Sequence, residues 1–265
     1  MKNITLTFLV LIGFCHGIFA QTGNARVLLV KYDFSILQDT TDVNGRRFTD
    51  IMTLDIKQKE SRFYSSLKHL GLKQANNDME VSGNTVIMKT ITAFGDKESE
   101  CVTISFENRK YRVYDRISKA PHYYEDSLIT PDWKLWPDTL SILNEICQKA
   151  TTFYKGRNIT AWFAKNIPLQ AGPWLYQGLP GLIMKAEDAG NQFSFVCREL
   201  NSKTENEPAF VEYENAVKIS KELAQKKKRL YIEDPIASSE MEWGVSFSNG
   251  SNKPRKKRPY NPLEL

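Results

Sequence analysis

The chain has 265 residues, 41% of them hydrophobic and 25% charged, with a formal net charge of +5. That length suits one large β domain or two small ones. Lys253, Arg255, Lys256, Lys257 and Arg258 account for the basic excess, so the body is near neutral and lacks the basic face that a nucleic-acid partner needs.

Taken in chain order, Lys2 precedes an apolar run over 4–14. The run is too short to span a bilayer, which takes ~20 apolar residues. With Ala20 before Gln21 it reads as a secretory signal over 1–20. Cys15 offers a lipoprotein signal as the alternative, against which the bulky Phe14 argues. No later stretch is apolar enough to cross a membrane. The expectation is an exported chain, periplasmic, outer-membrane-associated or secreted.

Residues 26–37 and 48–57 read as a hairpin of half-buried strands around the turn 38–45, and 60–65 as the start of a third strand. Residues 67–82 break the pattern as a short helix or a loop. Residues 85–93 suit a strand. Residues 100–107 alternate, with Val102, Ile104 and Phe106 on one face, and 110–117 is their partner across Asn108-Arg109. A further strand fits 123–129. Residues 131–137 carry Trp133 and Trp136, and 142–155 read as one long strand or two.

In 157–165, Ile159, Ala161 and Phe163 make an apolar face, with Asn158, Thr160 and Trp162 on the other. Residues 182–188 and 192–200 form a hairpin in which Phe193, Phe195 and Cys197 share a face. A last short strand fits 209–213. Asn215 suits the N-cap of a helix over 216–230, closed at Asp234-Pro235. Residues 251–265 are basic, contain prolines and read as a flexible tail. The predicted fold is mostly β: residues 21–250 as a single domain with a strongly curved antiparallel sheet or incomplete barrel, and one C-terminal helix.

The most unusual stretch is 172–183, where three glycines and two prolines punctuate a run too apolar for a solvated loop. Pro180-Gly181 suits a type II turn with positive φ at Gly181. One reading is architectural, a shaped loop pinned into the core. The other is a contact surface, since rigidly punctuated loops often carry binding. The binding candidates are Trp162, Gly172, Pro173, Trp174, Gly178, Leu179, Pro180, Gly181, Leu182 and Ile183.

Catalytic chemistry finds little support. His69 and His122 each lack the i, i+4 or Cys neighbours of a zinc site. There is no Gly-x-Ser-x-Gly elbow, P-loop or Rossmann glycine set. The polar residues around His122 read as a solvated face, and Glu187 and Asp188 as turn acids. No catalytic residue, cofactor or metal is expected. Cys101, Cys147 and Cys197 form an odd set once Cys15 leaves with the signal, so at least one thiol stays unpaired. Buried structural thiols are one reading, and Cys147–Cys197 is the disulfide to test.

The sequence of 178–183, Gly-Leu-Pro-Gly-Leu-Ile, resembles the name-giving motif of the GLPGLI family of exported Bacteroidetes proteins, which has no assigned activity. Cys147-Gln148-Lys149-Ala150, Gly156-Arg157, Ala161-Trp162-Phe163, Ile167-Pro168 and Gly172-Pro173-Trp174 stand in the order typical of that family. Tyr260-Asn261-Pro262-Leu263-Glu264-Leu265 is similar to its usual ending. The 147–183 region is also loosely similar to lipoprotein carriers of the LolA type, whose incomplete barrel holds acyl chains. These resemblances imply an envelope-associated binding or accessory protein that contacts an outer-membrane protein. The alternative they imply is a periplasmic carrier of an apolar, lipid-like ligand.

Overall fold

The computed structural model describes residues 26–42, 44–69, 80–82, 85–87, 100–115, 121–201, 215–244, 246 and 255–265. The signal over 1–20, the expected strand at 209–213 and parts of the 67–82 and 85–93 readings lie outside them.

Among the described residues the strands are β1 (Arg26–Leu37), β2 (Arg47–Lys57), β3 (Glu60–Ser65), β4 (Glu80–Ser82), β5 (Thr85–Ile87), β6 (Cys101–Ser105) and β7 (Lys110–Asp115). They continue as β8 (His122–Ser127), β9 (Lys134–Ile142), β10 (Glu145–Tyr154), β11 (Arg157–Ala164), β12 (Leu182–Asp188), β13 (Phe193–Asn201) and β14 (Val217–Lys218). A 12-stranded open sheet runs β14-β8-β7-β6-β3-β2-β1-β13-β12-β11-β10-β9, and β4 pairs with β5. Within the large sheet the pairs are antiparallel except β14 with β8.

The alternation read in the sequence is the alternation of burial. Val102, Ile104, Ile159, Ala161, Phe163, Phe193 and Phe195 all face the core. Aromatic rings hold its centre: Phe34 stacks on Phe195 at 4.7 Å, and Phe63 meets Phe195 edge-on at 5.6 Å. The sheet curls strongly. Eight strand spacings separate β7 from β10, about 38 Å in a flat sheet. Yet Lys155 Nζ, in the turn after β10, donates to the Tyr111 hydroxyl of β7 at 3.3 Å.

The 142–155 segment takes the second of its two readings, two strands, with β9 entering from Lys134, joined at Leu143 and Asn144. Both residues have positive φ, 50° and 65°, as a two-residue type I′ turn requires. Asn215 does not cap a helix; residues 217–218 add the parallel strand β14. Ser220 is the N-cap of α1 (Lys221–Glu233), its hydroxyl accepting from Leu223 N. Asp234-Pro235 closes α1 as expected, with Asp234 as its C-cap, and the same pair also starts a second helix. Asp234 caps α2 (Pro235–Trp243), accepting from Ala237 N, and Pro235 takes an early position where its missing donor is harmless. Among the described residues there are thus two C-terminal helices. Residues 255–265, read from sequence as a flexible tail, lie against the body: Arg255 pairs with Glu240 at 2.7 Å, and Arg258 N donates to Glu233 O.

Cys101, Cys147 and Cys197 are all free and buried, so the Cys147–Cys197 disulfide is not formed. Burial pushes the thiols of Cys101 and Cys197 up to about 12 and that of Cys147 up to about 11. The thiolate is the reactive form. These three thiols should therefore resist an alkylating reagent at neutral pH in the folded protein and react once it is denatured, as mass spectrometry of the labelled chain will show.

Candidate functional site

The 172–183 stretch is a plug. Ile183 N donates to Ala171 O at 3.0 Å, Leu182 N to Ile167 O at 2.9 Å and Gly178 N to Gln170 O at 3.3 Å. Trp133 Nε1 reaches Gln177 O at 2.9 Å, and Tyr32 O–H reaches Ile183 O at 2.8 Å. Leu175, Tyr176 and Leu179 are each 1% exposed. Fully burying a large apolar side chain contributes about 1.5–3 kcal/mol, so the loop is part of the core.

Of the ten predicted site residues, Gly172, Pro173, Trp174, Leu179, Gly181, Leu182 and Ile183 are buried, Trp162 and Gly178 are half-buried and only Pro180 is exposed. The turn is not type II. Gly181 has no positive φ, and its N–H donates to Leu179 O at 2.8 Å, a three-residue γ-turn about Pro180. Gly181 is needed for another reason: an added Cβ would collide with the Ala164 carbonyl. In this stretch the positive φ values belong to Trp174, at 54°, and Gly178, at 92°.

The exposed chemistry lies on the outer face of β9 to β12. Cross-strand pairing aligns Lys149, Trp162 and Lys185, and next to them Thr151, Thr160 and Glu187. Lys149 Nζ sits 5.9 Å from the Trp162 ring centre, and Lys134 Nζ sits 4.3 Å from that of Trp136. Trp136 Nε1 is fixed by Thr151 Oγ1 at 2.9 Å. Phe153 stands beside them 69% exposed. The opposite face, with Ala150, Thr152, Ile159 and Ala161, is buried. Trp162 is thus the one predicted site residue that joins an accessible aromatic surface.

Two buried polar groups escaped the sequence reading. Arg157 donates from Nη1 to Asp188 Oδ2 at 3.1 Å and to Gln192 Oε1 at 2.8 Å, and from Nη2 to Asn261 Oδ1 and Pro262 O. Asp188 is therefore not merely a turn acid. His122, read as part of a solvated face, is 4% exposed beneath α1. Asp115 and Lys228 form an ion pair at 3.2 Å beside it, and neither ring nitrogen of His122 has a hydrogen-bond partner among the described residues. Gly156-Arg157 and Asn261-Pro262 stand out in the sequence only as motifs of a resemblance, without a role, because the partners of these groups come from distant segments.

Residues 148–185 match the model of a family described as a protein of unknown function (Porph_ging). The matched segment contains 178–183 in full and both Lys149 and Trp162. Comparison with curated proteins gives no match. Two solved structures of PNGF-II, in the P21 and C2 space groups, are similar with a TM-score of 0.51 at 13% identity, over 76% of this chain. The chain spans about a third of their length, 33% and 32%. At that identity the likeness concerns the fold alone. No helix among the described residues is long and apolar enough to cross a membrane.

Gly181→Ala should destabilise the protein by about 1–3 kcal/mol, the usual cost of forcing atoms into a packed site; denaturant unfolding measures it. Burial holds His122 below its ordinary 6.5; Asp115 and Glu242 oppose the shift, and Lys227 and Lys228 add to it. Below pH 6.5 the unfolded chain then binds a proton that the folded chain binds less well, so stability falls on acidification. The denaturation midpoint should drop through that window, and His122→Asn should flatten the drop.

Proposed function

We propose that the protein is an exported, envelope-associated binding or accessory protein that acts without catalysis, through the outer face of β9 to β12. The observation that carries this reading is the pair of lysine-capped tryptophans, Trp136 and Trp162, beside the exposed Phe153. Aromatic rings with a polar edge favour the boundary between apolar and wet phases. Lysines near an anionic surface contribute about 1 kcal/mol each. Such a face suits an envelope component that offers acidic and apolar groups together. The resemblance of 178–183 to the exported GLPGLI proteins supports the compartment. A carrier needs an apolar hollow on the curved face, whereas the plug fills that face with Leu175, Tyr176 and Leu179. Contact is therefore the better supported reading.

The test is co-sedimentation with outer-membrane vesicles. A Trp136→Ala, Phe153→Ala, Trp162→Ala chain should stay folded, with a somewhat lower unfolding midpoint because Trp162 packs partly against the core, and lose most of its association. Vesicles stripped by protease separate a protein partner from a lipid one. Undiminished association of the variant would sink the proposal.

A further inference from the structure

The segment 255–265 lies on the body as a bound peptide lies on its receptor. Asn261 is read twice: its Nδ2 donates to Leu37 O at 2.9 Å, and its Oδ1 accepts from Arg157 Nη2. The same Arg157 nitrogen donates to Pro262 O. Glu264 meets Lys155 Nζ at 3.0 Å and Lys221 Nζ at 2.8 Å. Leu265 N donates to Lys155 O at 3.1 Å. Leu263, between these contacts, packs partly against the core.

The receptor side is built for the purpose. Arg157 is 4% exposed, and its Nε has no hydrogen-bond partner among the described residues. Gly156 turns at φ 80°, and a Cβ there would stand 2.7 Å from that of Leu265. Beside Leu265 a shallow cleft of about 210 Å³ of mixed polarity remains, lined by Asn158, Asp188, Gly190, Gln192 and Leu265 itself.

We propose that this groove is a recognition site for Asn-Pro-x-Glu-x peptides, with 261–265 as its resident ligand. Three features select the class. The Asn amide is matched by one donor and one acceptor, which no other side chain supplies in that geometry. Pro holds the backbone extended before binding, which lowers the ordering cost. Two ammonium groups select an acid three residues after the Asn. A competing peptide of the same sequence reproduces every one of these contacts. The resident segment hides the site because a tethered ligand has a high effective concentration. This inference is independent of the outer-face reading.

The test uses the full chain carrying Asn261→Ala and Glu264→Gln, with a fluorescent synthetic peptide of residues 258–265. The loosened chain should bind the peptide in an anisotropy titration, and the unaltered chain should bind it roughly tenfold more weakly or worse. Replacing the Asn of the peptide by Ala, or its Glu by Gln, should cost roughly tenfold or more. Adding Arg157→Lys, which keeps the charge and loses the planar fork, should abolish specific binding. If the loosened chain does not fold, hydrogen exchange at the Leu265 amide of the unaltered chain decides: excess peptide should speed it, and a scrambled peptide should not. A folded, loosened chain that ignores the peptide, or takes the scrambled one equally well, overturns the proposal. So does an unchanged Leu265 exchange rate where that measurement decides.

Discussion

Arg157 carries a full positive charge at 4% exposure, and an ion taken out of water costs several kcal/mol unless its donors are met. Its partners come from three places in the chain: Asp188 at the end of β12, Gln192 before β13, and Asn261 and Pro262 far downstream. Asp188 is held in turn by the Gln192 and Phe193 amides, at 2.6 and 3.1 Å. Losing a partner leaves a buried polar group unmet until another group of the same chemistry takes its place. Asn261 extends the constraint to Leu37 at the end of β1. One guanidinium thus ties together β11, the β12–β13 turn, β1 and the segment 261–265.

The curl of the sheet poses the next problem. A sheet whose distant strands approach each other encloses a space that its own side chains do not fill. The 172–183 stretch meets that need with Leu175, Tyr176 and Leu179, and Tyr176 stacks on Phe193 with ring centres 6.4 Å apart. Its glycines follow from packing. Gly181 passes against the Ala164 carbonyl where a methyl group has no room. On the other side of the enclosure α1 covers β8 with charges rather than with an apolar stripe: Lys221 pairs with Asp126 and Lys228 with Asp115. This explains why its sequence shows so little amphipathic pattern.

Much of the fold was legible because a strand with one buried face writes its period of two into the sequence. Residues 101–105, 157–164 and 193–197 show it plainly. What was missed has a common cause, partners distant in sequence. The Leu143-Asn144 turn lacks the glycine that marks such turns, and its positive φ values are imposed by β9 and β10 pairing on either side. The helix start moved from Asn215 to Ser220 because residues 217–218 pair with β8, which is remote in the chain. His122 sits among polar neighbours in sequence, and nothing local says that α1 will cover it. Of the candidate site, the plug residues were recognised as unusual, yet the rule applied to Pro180-Gly181 was a turn preference when the deciding fact was a close approach.

With the plug committed to the core, surface chemistry has to come from elsewhere, and β9 shows where it is permitted. As an edge strand β9 exposes backbone groups that invite another strand. Pro137 removes one donor from it; on its paired side, Trp136 O is met by the Gln148 side chain of β10 at 2.7 Å where the ladder shifts register. Lys134 and Asp138 place charges on either side of Pro137. The edge is therefore blunted against strand addition. The face of the same strand keeps Trp136 fixed under Lys134 and half-buried. A partner that approaches this end of the sheet meets aromatic rings and ammonium groups rather than a free hydrogen-bond ladder. Side-chain chemistry on the face, and not the β9 edge, is therefore the physical basis for proposing a contact surface on β9 to β12.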